Sequence, residues 1–386
     1  MKIVIIGAGL SGLLAAKKLL NNGNDDITIV EKGKSLIDRI SDLERQKRYF
    51  SPYGEGGRIF FNFKPFILNK DDDNDIEFIN ILREYNIYNE DGVIKLNCII
   101  NLIKSLHNEL SKRVRMIYNN AIVDFYDKNS KLGGVVLKNY EHLDGDEFIF
   151  SFGLLDKYLY NQLWNNNVGL KSLSTFIPLK ISIFLKDVKQ FEDLNAFIAK
   201  KPMVAFNGRI SFIDEYQKET NIVELKSSQN LVSFENFSFN NEANNHVNFN
   251  LNISITEGEL SGFQNSSLKN LALLSLIERN QYEADIQKPI TYKNFLEDNI
   301  FDEVLSLSIS EVFKKSIENL FKDFDDDFKS RMKIHGVSTI SLRPIQIISD
   351  DKSRSVTFPN VIIIGNAKKN FSNLKSKILD TLKTLH

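Results

Sequence analysis

Residues 2–32 constrain this chain more than any other stretch. Lys2-Ile3-Val4-Ile5-Ile6 has the β-branched, apolar composition of a strand buried on both faces. It runs directly into Gly7-Ala8-Gly9-Leu10-Ser11-Gly12, a G-x-G-x-x-G turn. Leu13 to Leu20 then recur with helical spacing, and Asn22-Gly23-Asn24 stops the helix. A second apolar run over 27–30 ends on Glu31.

Each residue type has a mechanical reason to be there. Gly7 permits a tight turn out of the strand. Gly9 carries no side chain to hold a pyrophosphate away from the backbone, and Gly12 lets helix and sheet approach closely. Phosphates sit on unpaired N–H groups at the helix N-terminus, where the dipole contributes ~0.3–1 kcal/mol per anionic contact. Glu31 is placed to accept from the adenosine ribose hydroxyls. An acid at that position disfavours a 2′-phosphate, so FAD or NAD fits better than NADP. The bland alternative is a glycine-rich turn without a ligand. The bracketing strands, the helix and the acid argue against it, and this stretch is expected to bind a dinucleotide.

The remaining composition excludes more than it identifies. The 386 residues suffice for two domains, and 49 basic against 50 acidic side chains give a net charge of −1, which suggests neither nucleic acid nor an anionic membrane. The hydrophobic content of 42% is that of a soluble globular protein. A lone cysteine, Cys98, leaves no intrachain disulfide framework and suits a reducing, cytoplasmic setting. No secretory signal is visible, and no apolar run approaches the ~20 residues that span a bilayer. Asp71-Asp72-Asp73 and Asp325-Asp326-Asp327 read as solvated turns, and no metal site is expected.

Further along, residues 36–48 read as a charged helix. Gly54, Gly56 and Gly57 concentrate backbone freedom just before Arg58, in a loop that either lies against a cofactor or is a plain structural turn. Residues 76–85 and 99–110 have helical periodicity; 114–118, 121–126, 134–137 and 148–151 read as strands. From 154 to 332 the character changes to strands (176–185, 203–206, 248–255) mixed with helices (268–279, 304–320). Another buried strand, Val361-Ile362-Ile363-Ile364, then ends in Gly365-Asn366-Ala367, and Ser372 or Asn373 can cap a closing helix. The expectation is an α/β fold. Its Rossmann-like domain comprises 1–153 and 333–386, and an α+β substrate or cap domain is inserted at 154–332.

With these pieces in order, the chain resembles the FAD-dependent oxidoreductases of the two-dinucleotide-binding-fold superfamily, and within it the uncharacterised FAD-dependent dehydrogenases. That resemblance implies noncovalent FAD. Its pyrophosphate would lie on Gly7, Ala8, Gly9, Leu10, Ser11 and Gly12, and its ribose on Glu31 with Lys32 beside it. Gly56, Gly57 and Arg58 would pass close to the cofactor, and the Ile122-Val123 backbone would meet the adenine. The strand cluster 114–151 would supply a three-stranded β insertion and end at Gly153 beside the cofactor. Gly365, Asn366 and Ala367 would face the flavin. The chain departs from the pattern in three places. Asn366 replaces an acid, Lys368-Lys369-Asn370-Phe371 replaces glycines, and Gly336-Val337-Ser338-Thr339-Ile340 stands where a Gly-x-Glu-Thr-Arg pattern is usual.

A flavin carries its own reactive atom, so no catalytic triad is required. The absence of Cys-x-x-Cys rules out disulfide reductase chemistry. Of the five histidines, His246 and His335 are the candidates for a general base near neutral pH. His107 reads as a surface or core residue, His142 falls in a turn, and His386 is terminal. Arg58 is a candidate to face a phosphate or a substrate anion; Tyr53, Lys64 and Arg343 are weaker candidates by position. Three readings follow. In the first, the chain is an oxidoreductase passing a hydride or electrons between an organic small molecule and a second acceptor, with NAD(P)H a candidate donor and an electron-carrier protein a candidate partner. The second is a non-catalytic FAD-binding scaffold with a degenerate flavin site. The third is an NAD-only dehydrogenase, which leaves the closing segment unexplained.

Overall fold

The computed structural model describes every residue except 45–52, 62, 154–156, 173–175, 201, 207, 219–220, 227–231, 238–245, 256–268, 285–288, 298–299, 340–344, 369–372 and 386. Helix residues 45–48, residue 268, Ile340, Arg343, 369–371, Ser372 and His386, named above, lie outside the described residues. The chain divides into two units, Met1–Lys171 with Ile345–His386, and Ser172–Pro344.

Unit 1 is α/β and starts as its first residues dictate. Strand β1 (Ile3–Ile6), helix α1 (Leu10–Asn21) and strand β2 (Ile27–Val30) follow one another as a βαβ unit. After them come α2 (Leu36–Glu44), α3 (Asp73–Glu84) and α4 (Leu96–Leu110). Strands β3 (Arg115–Ile117), β4 (Ile122–Lys128), β5 (Lys131–Leu137), β6 (His142–Asp144) and β7 (Glu147–Phe150) precede helix α5 (Lys157–Asn165). The closing segment brings β8 (Val361–Ile363) and α6 (Leu374–Thr384).

Among the described residues, β8, β7, β1, β2 and β3 form one parallel sheet in that order. The order reverses at β1, which has β2 on one side and β7 on the other. In open parallel sheets such a switch point leaves a crevice at the carboxyl ends of the strands. Ile3, Val4 and Ile5 are fully buried, a stabilisation of roughly 2 kcal/mol each. Helix α1 is buried along nearly its whole length and packs on α4 and α6. Even its lysines are covered: Lys17 Nζ reaches Glu84 at 2.5 Å and Glu109 at 2.9 Å, and Lys18 Nζ donates to the Leu382 carbonyl at 2.6 Å.

Strands β4, β5 and β6 make the three-stranded sheet, though not from the residues expected. Arg115–Ile117 pairs with β2 and is an edge of the main sheet, because its carbonyls register with the strand that ends on Glu31. The third strand is His142–Asp144, in the stretch read as a turn; Val135 and Val136 supply its pairing partners. One side chain ties this sheet to the main one. Asn360 accepts from Leu132 N at 3.0 Å and donates to Leu132 O at 2.9 Å, as a backbone neighbour would.

The helix Lys157–Asn165 belongs to unit 1, where Tyr158 donates to the Val123 carbonyl at 3.3 Å. The strand Met332–Val337 belongs to unit 2, because it pairs with Phe176–Phe184. Neither side follows from composition, since both stretches are unremarkable mixtures of apolar and charged residues.

Unit 2 is built on an antiparallel sheet of six strands among the described residues, with Phe176–Phe184 and His246–Ser254 at its centre. One face carries Leu179, Ile181, Ile183, Phe249 and Leu251 and is covered by the helix Leu307–Leu320. The alternate positions Lys180, Ser182, Asn248, Asn250 and Asn252 are polar yet buried. At Lys180/Ile181 the register shifts, and His335 is the extra residue of that bulge.

Candidate active site

The first turn behaves as its glycines predict. Gly7 has φ +102°, and a Cβ there would stand 3.0 Å from Phe152 Cα, so β1 turns tightly against the end of β7. A Cβ on Gly12 would stand 2.0 Å from the Gly7 carbonyl, the close helix–strand approach for which only glycine serves. Gly9 is different: it is the N-cap of α1 with an ordinary φ of −64°, and no atom of the described residues lies within 4 Å of where its Cβ would be. Open space fronts the helix N-terminus at this residue. Gly153, just past β7, has the same open surround. Ala8, Leu10 and Ser11 are buried behind this opening. Ser151 closes the switch point from below, its hydroxyl donating to Ile6 O at 3.0 Å and Gly7 O at 2.6 Å.

Glu31 lies where β2 ends, 8% exposed. Its carboxylate accepts from Ala8 N at 2.9 Å and Gly33 N at 2.8 Å, which draws the glycine turn and the second strand together. Burial pushes this carboxyl up; the N–H groups of Gly33 and Ala8 and the charges of Arg39 and Lys32 pull it back. Lys32 holds its ammonium 3.7 Å from the Tyr53 ring centroid.

The loop around Gly56-Gly57-Arg58 lies directly on this turn. Gly56 N donates to Ala8 O at 2.8 Å and Gly56 forms a parallel bridge with Gly9. Gly56 and Gly57 sit at φ +79° and +66°, and a Cβ on Gly57 would be 3.5 Å from Gly9 Cα. The loop therefore packs on the G-x-G-x-x-G turn. Arg58 follows, half-buried.

The closing segment arrives at the same helix. Gly365, at φ +58°, backs onto Ser11: a Cβ there would be 2.7 Å from Ser11 Oγ. Thr381 of α6 donates to that Ser11 hydroxyl at 3.1 Å. Ala367 is fully buried, and the Asn366 Oδ1 atom is buried with no hydrogen-bond partner among the described residues. An orphaned buried acceptor costs roughly 1–3 kcal/mol, which a ligand hydroxyl would relieve. Lys368, first of the stretch that stands in place of those glycines, pairs its ammonium with Asp380 at 3.0 Å and donates to Thr384 Oγ1 at 3.0 Å.

Ile122 opens β4 and is buried, while the neighbouring Val123 carbonyl already accepts from Tyr158. The residues bonded to the Glu31 end of β2 are instead Asn119 and Asn120, whose N–H groups donate to Gly33 O at 2.9 Å and Glu31 O at 3.2 Å.

His246 and His335 are in unit 2 and Arg58 in unit 1. His335 Nε2 is 2.7 Å from Ser182 Oγ. Burial, with His246, Lys180 and Lys333 nearby, lowers its pKa from the ordinary 6.5 to about 4. His246 meets the Phe184 ring edge-on at 5.3 Å. Sequence reasoning does not bring together Glu55, Arg39 and His107, which the fold gathers behind the glycine loop. Glu55 is fully buried with both carboxylate oxygens 2.9 Å from His107 Nδ1. Only the acid set among Gly54, Gly56 and Gly57 could have drawn notice.

Among the described residues no group of three or more His, Cys, Asp or Glu is placed to hold a metal ion, and no helix is long and apolar enough to cross a membrane.

A family model described as an NAD(P)-binding Rossmann-like domain matches residues 5–66. No curated protein matches the chain. Similar solved structures include CtdE in complex with FAD, at 11% identity and TM-score 0.39 over 100% of this chain and 82% of that one. Others are FqzB, at 9% and 0.42 over 100% and 72%, and the tetracycline destructase Tet(51), at 11% and 0.40 over 99% and 78%. Scores of this size do not establish a shared fold; the Rossmann-like assignment rests on the family model and the parallel sheet.

Proposed function

We propose that this chain is an FAD-dependent oxidoreductase acting on an organic small molecule, with FAD held noncovalently in unit 1. The observation that carries the reading is the meeting of the closing segment with the first turn of α1. Gly365 packs on Ser11, and Asn366 beside it keeps a buried acceptor without a partner. An NAD site needs the opening βαβ unit alone; a second segment at the same helix end suits a longer cofactor.

The residues present fit the group. The open space at Gly9 and the free end of α1 would take the pyrophosphate, and Glu31 the ribose hydroxyls. Asn366 Oδ1 would accept from a hydroxyl of the ribityl chain. Gly57 and Arg58 would form the second wall, the guanidinium offsetting phosphate charge. Bound FAD supplies two-electron redox chemistry; the chain binds and orients the cofactor, excludes water and handles a proton.

Arg58 remains the unit 1 candidate for contact with a substrate anion, while His246 and His335 lie in unit 2. NAD(P)H is proposed as electron donor and a small electron carrier as the alternative. The non-catalytic reading is favoured by Asn366, uncharged where the family resemblance leads one to expect an acid.

Anaerobic titration of the FAD-loaded protein with NADH, NADPH and a reduced carrier tests the proposal. Bleaching of the visible flavin absorbance and its return on admitting oxygen is expected. Flavin that stays oxidised with every donor would leave a scaffold.

A further inference from the structure

We infer that Glu55, His107 and Tyr118 are positioning residues that clamp the second wall of the phosphate site onto the glycine turn; this rests on the dinucleotide reading of unit 1. The wall, residues 54–58, has few apolar side chains with which to pack. It is instead stitched by its backbone: Glu55 N donates to Lys34 O at 2.9 Å and Gly56 N to Ala8 O at 2.8 Å. Arg39 Nη1 donates to the Glu55 carbonyl at 2.5 Å.

The Glu55 side chain ties that wall to three other elements. Its Oε2 accepts from Leu36 N, the first residue of α2, at 2.8 Å, satisfying one of the N–H groups a helix leaves open at its start. His107 Nδ1, from α4, lies 2.9 Å from both oxygens. Tyr118, just past β3, hydrogen-bonds the same carboxylate, and its hydroxyl is 3.2 Å from His107 Nδ1. Glu55 is 0% exposed, Arg39 1% and Glu31 8%.

Simple packing would be better served by an apolar residue, since a buried carboxylate beside an anionic ligand adds repulsion. Two buried acids flank one buried guanidinium here, and the His107 donor is what completes the hydrogen bonding of Glu55. Without it the carboxylate is left short of a donor in a dry interior. The least costly relief is for residues 54–58 to lift off, taking Gly57 and Arg58 away from Gly9.

Three variants separate donation from bulk. His107→Leu keeps volume and cannot donate; His107→Gln offers an amide N–H to the carboxylate; Tyr118→Phe removes one hydroxyl. FAD dissociation constants are read from quenching of free flavin fluorescence, with far-ultraviolet circular dichroism and urea midpoints as fold controls. His107→Leu is expected to weaken FAD about tenfold or more, His107→Gln to stay within about threefold of wild type, and Tyr118→Phe to lose about threefold. The clamp is overturned if His107→Leu binds as wild type does, or if His107→Gln fails as badly as His107→Leu. Should His107→Leu not fold, Tyr118→Phe decides, and unchanged affinity in it overturns the clamp. Wild-type protein that takes up no FAD overturns the underlying dinucleotide reading instead, a result no variant can mimic.

Discussion

Gly9 and Gly12 are three residues apart and do opposite work. Gly12 is required by the fold, since any Cβ runs into the Gly7 carbonyl 2.0 Å away. Gly12→Ala is therefore expected to cost about 3 kcal/mol in urea unfolding. Gly9 has ordinary backbone and empty space beyond it, so Gly9→Val should leave the urea midpoint within about 1 kcal/mol of wild type while obstructing the pyrophosphate. Asn366 offers a third residue-scale test. Its buried Oδ1 has no partner, so Asn366→Ala should not lower stability, yet should weaken FAD about tenfold. A large loss of stability in Asn366→Ala, read by the same urea titration, would contradict the idea of an acceptor kept for a ligand.

At the scale of elements, the strands and helices around the glycine turn were legible because their signals are local. The run from Lys2 to Glu31 carries period, turn glycines and acid in one window. The β3 assignment was not legible: residues 115–117 look like any short strand, and only pairing with β2 decides which sheet they join. Asn360 and the Glu55–His107 pair were invisible for the same reason, since their partners lie far along the chain. In unit 2 the bulge at His335 sets a pH dependence. The folded pKa of about 4 lies below the unfolded 6.5, so the unfolded chain binds the proton more readily between those values. The His335 contribution to stability is complete above pH 6.5 and is lost as the pH falls toward 4, by up to about 3 kcal/mol. Unfolding midpoints across that range should fall more steeply for wild type than for His335→Gln; parallel curves would show that His335 is not held neutral by the fold.

For the molecule as a whole, the central claim is that two distant stretches of one chain, the opening βαβ unit and the segment after β8, share a single cofactor. Family matching covers the first stretch alone. The second is tied to it by physical contacts, Gly365 on Ser11 and Thr381 on the same hydroxyl. The most direct measurement is FAD uptake by purified wild type and Gly9→Val, each incubated with excess FAD, desalted, and assayed for bound flavin. The account predicts one flavin per wild-type chain and essentially none in a Gly9→Val protein of undiminished stability. Wild type that emerges colourless, or Gly9→Val that retains as much flavin as wild type, would contradict it.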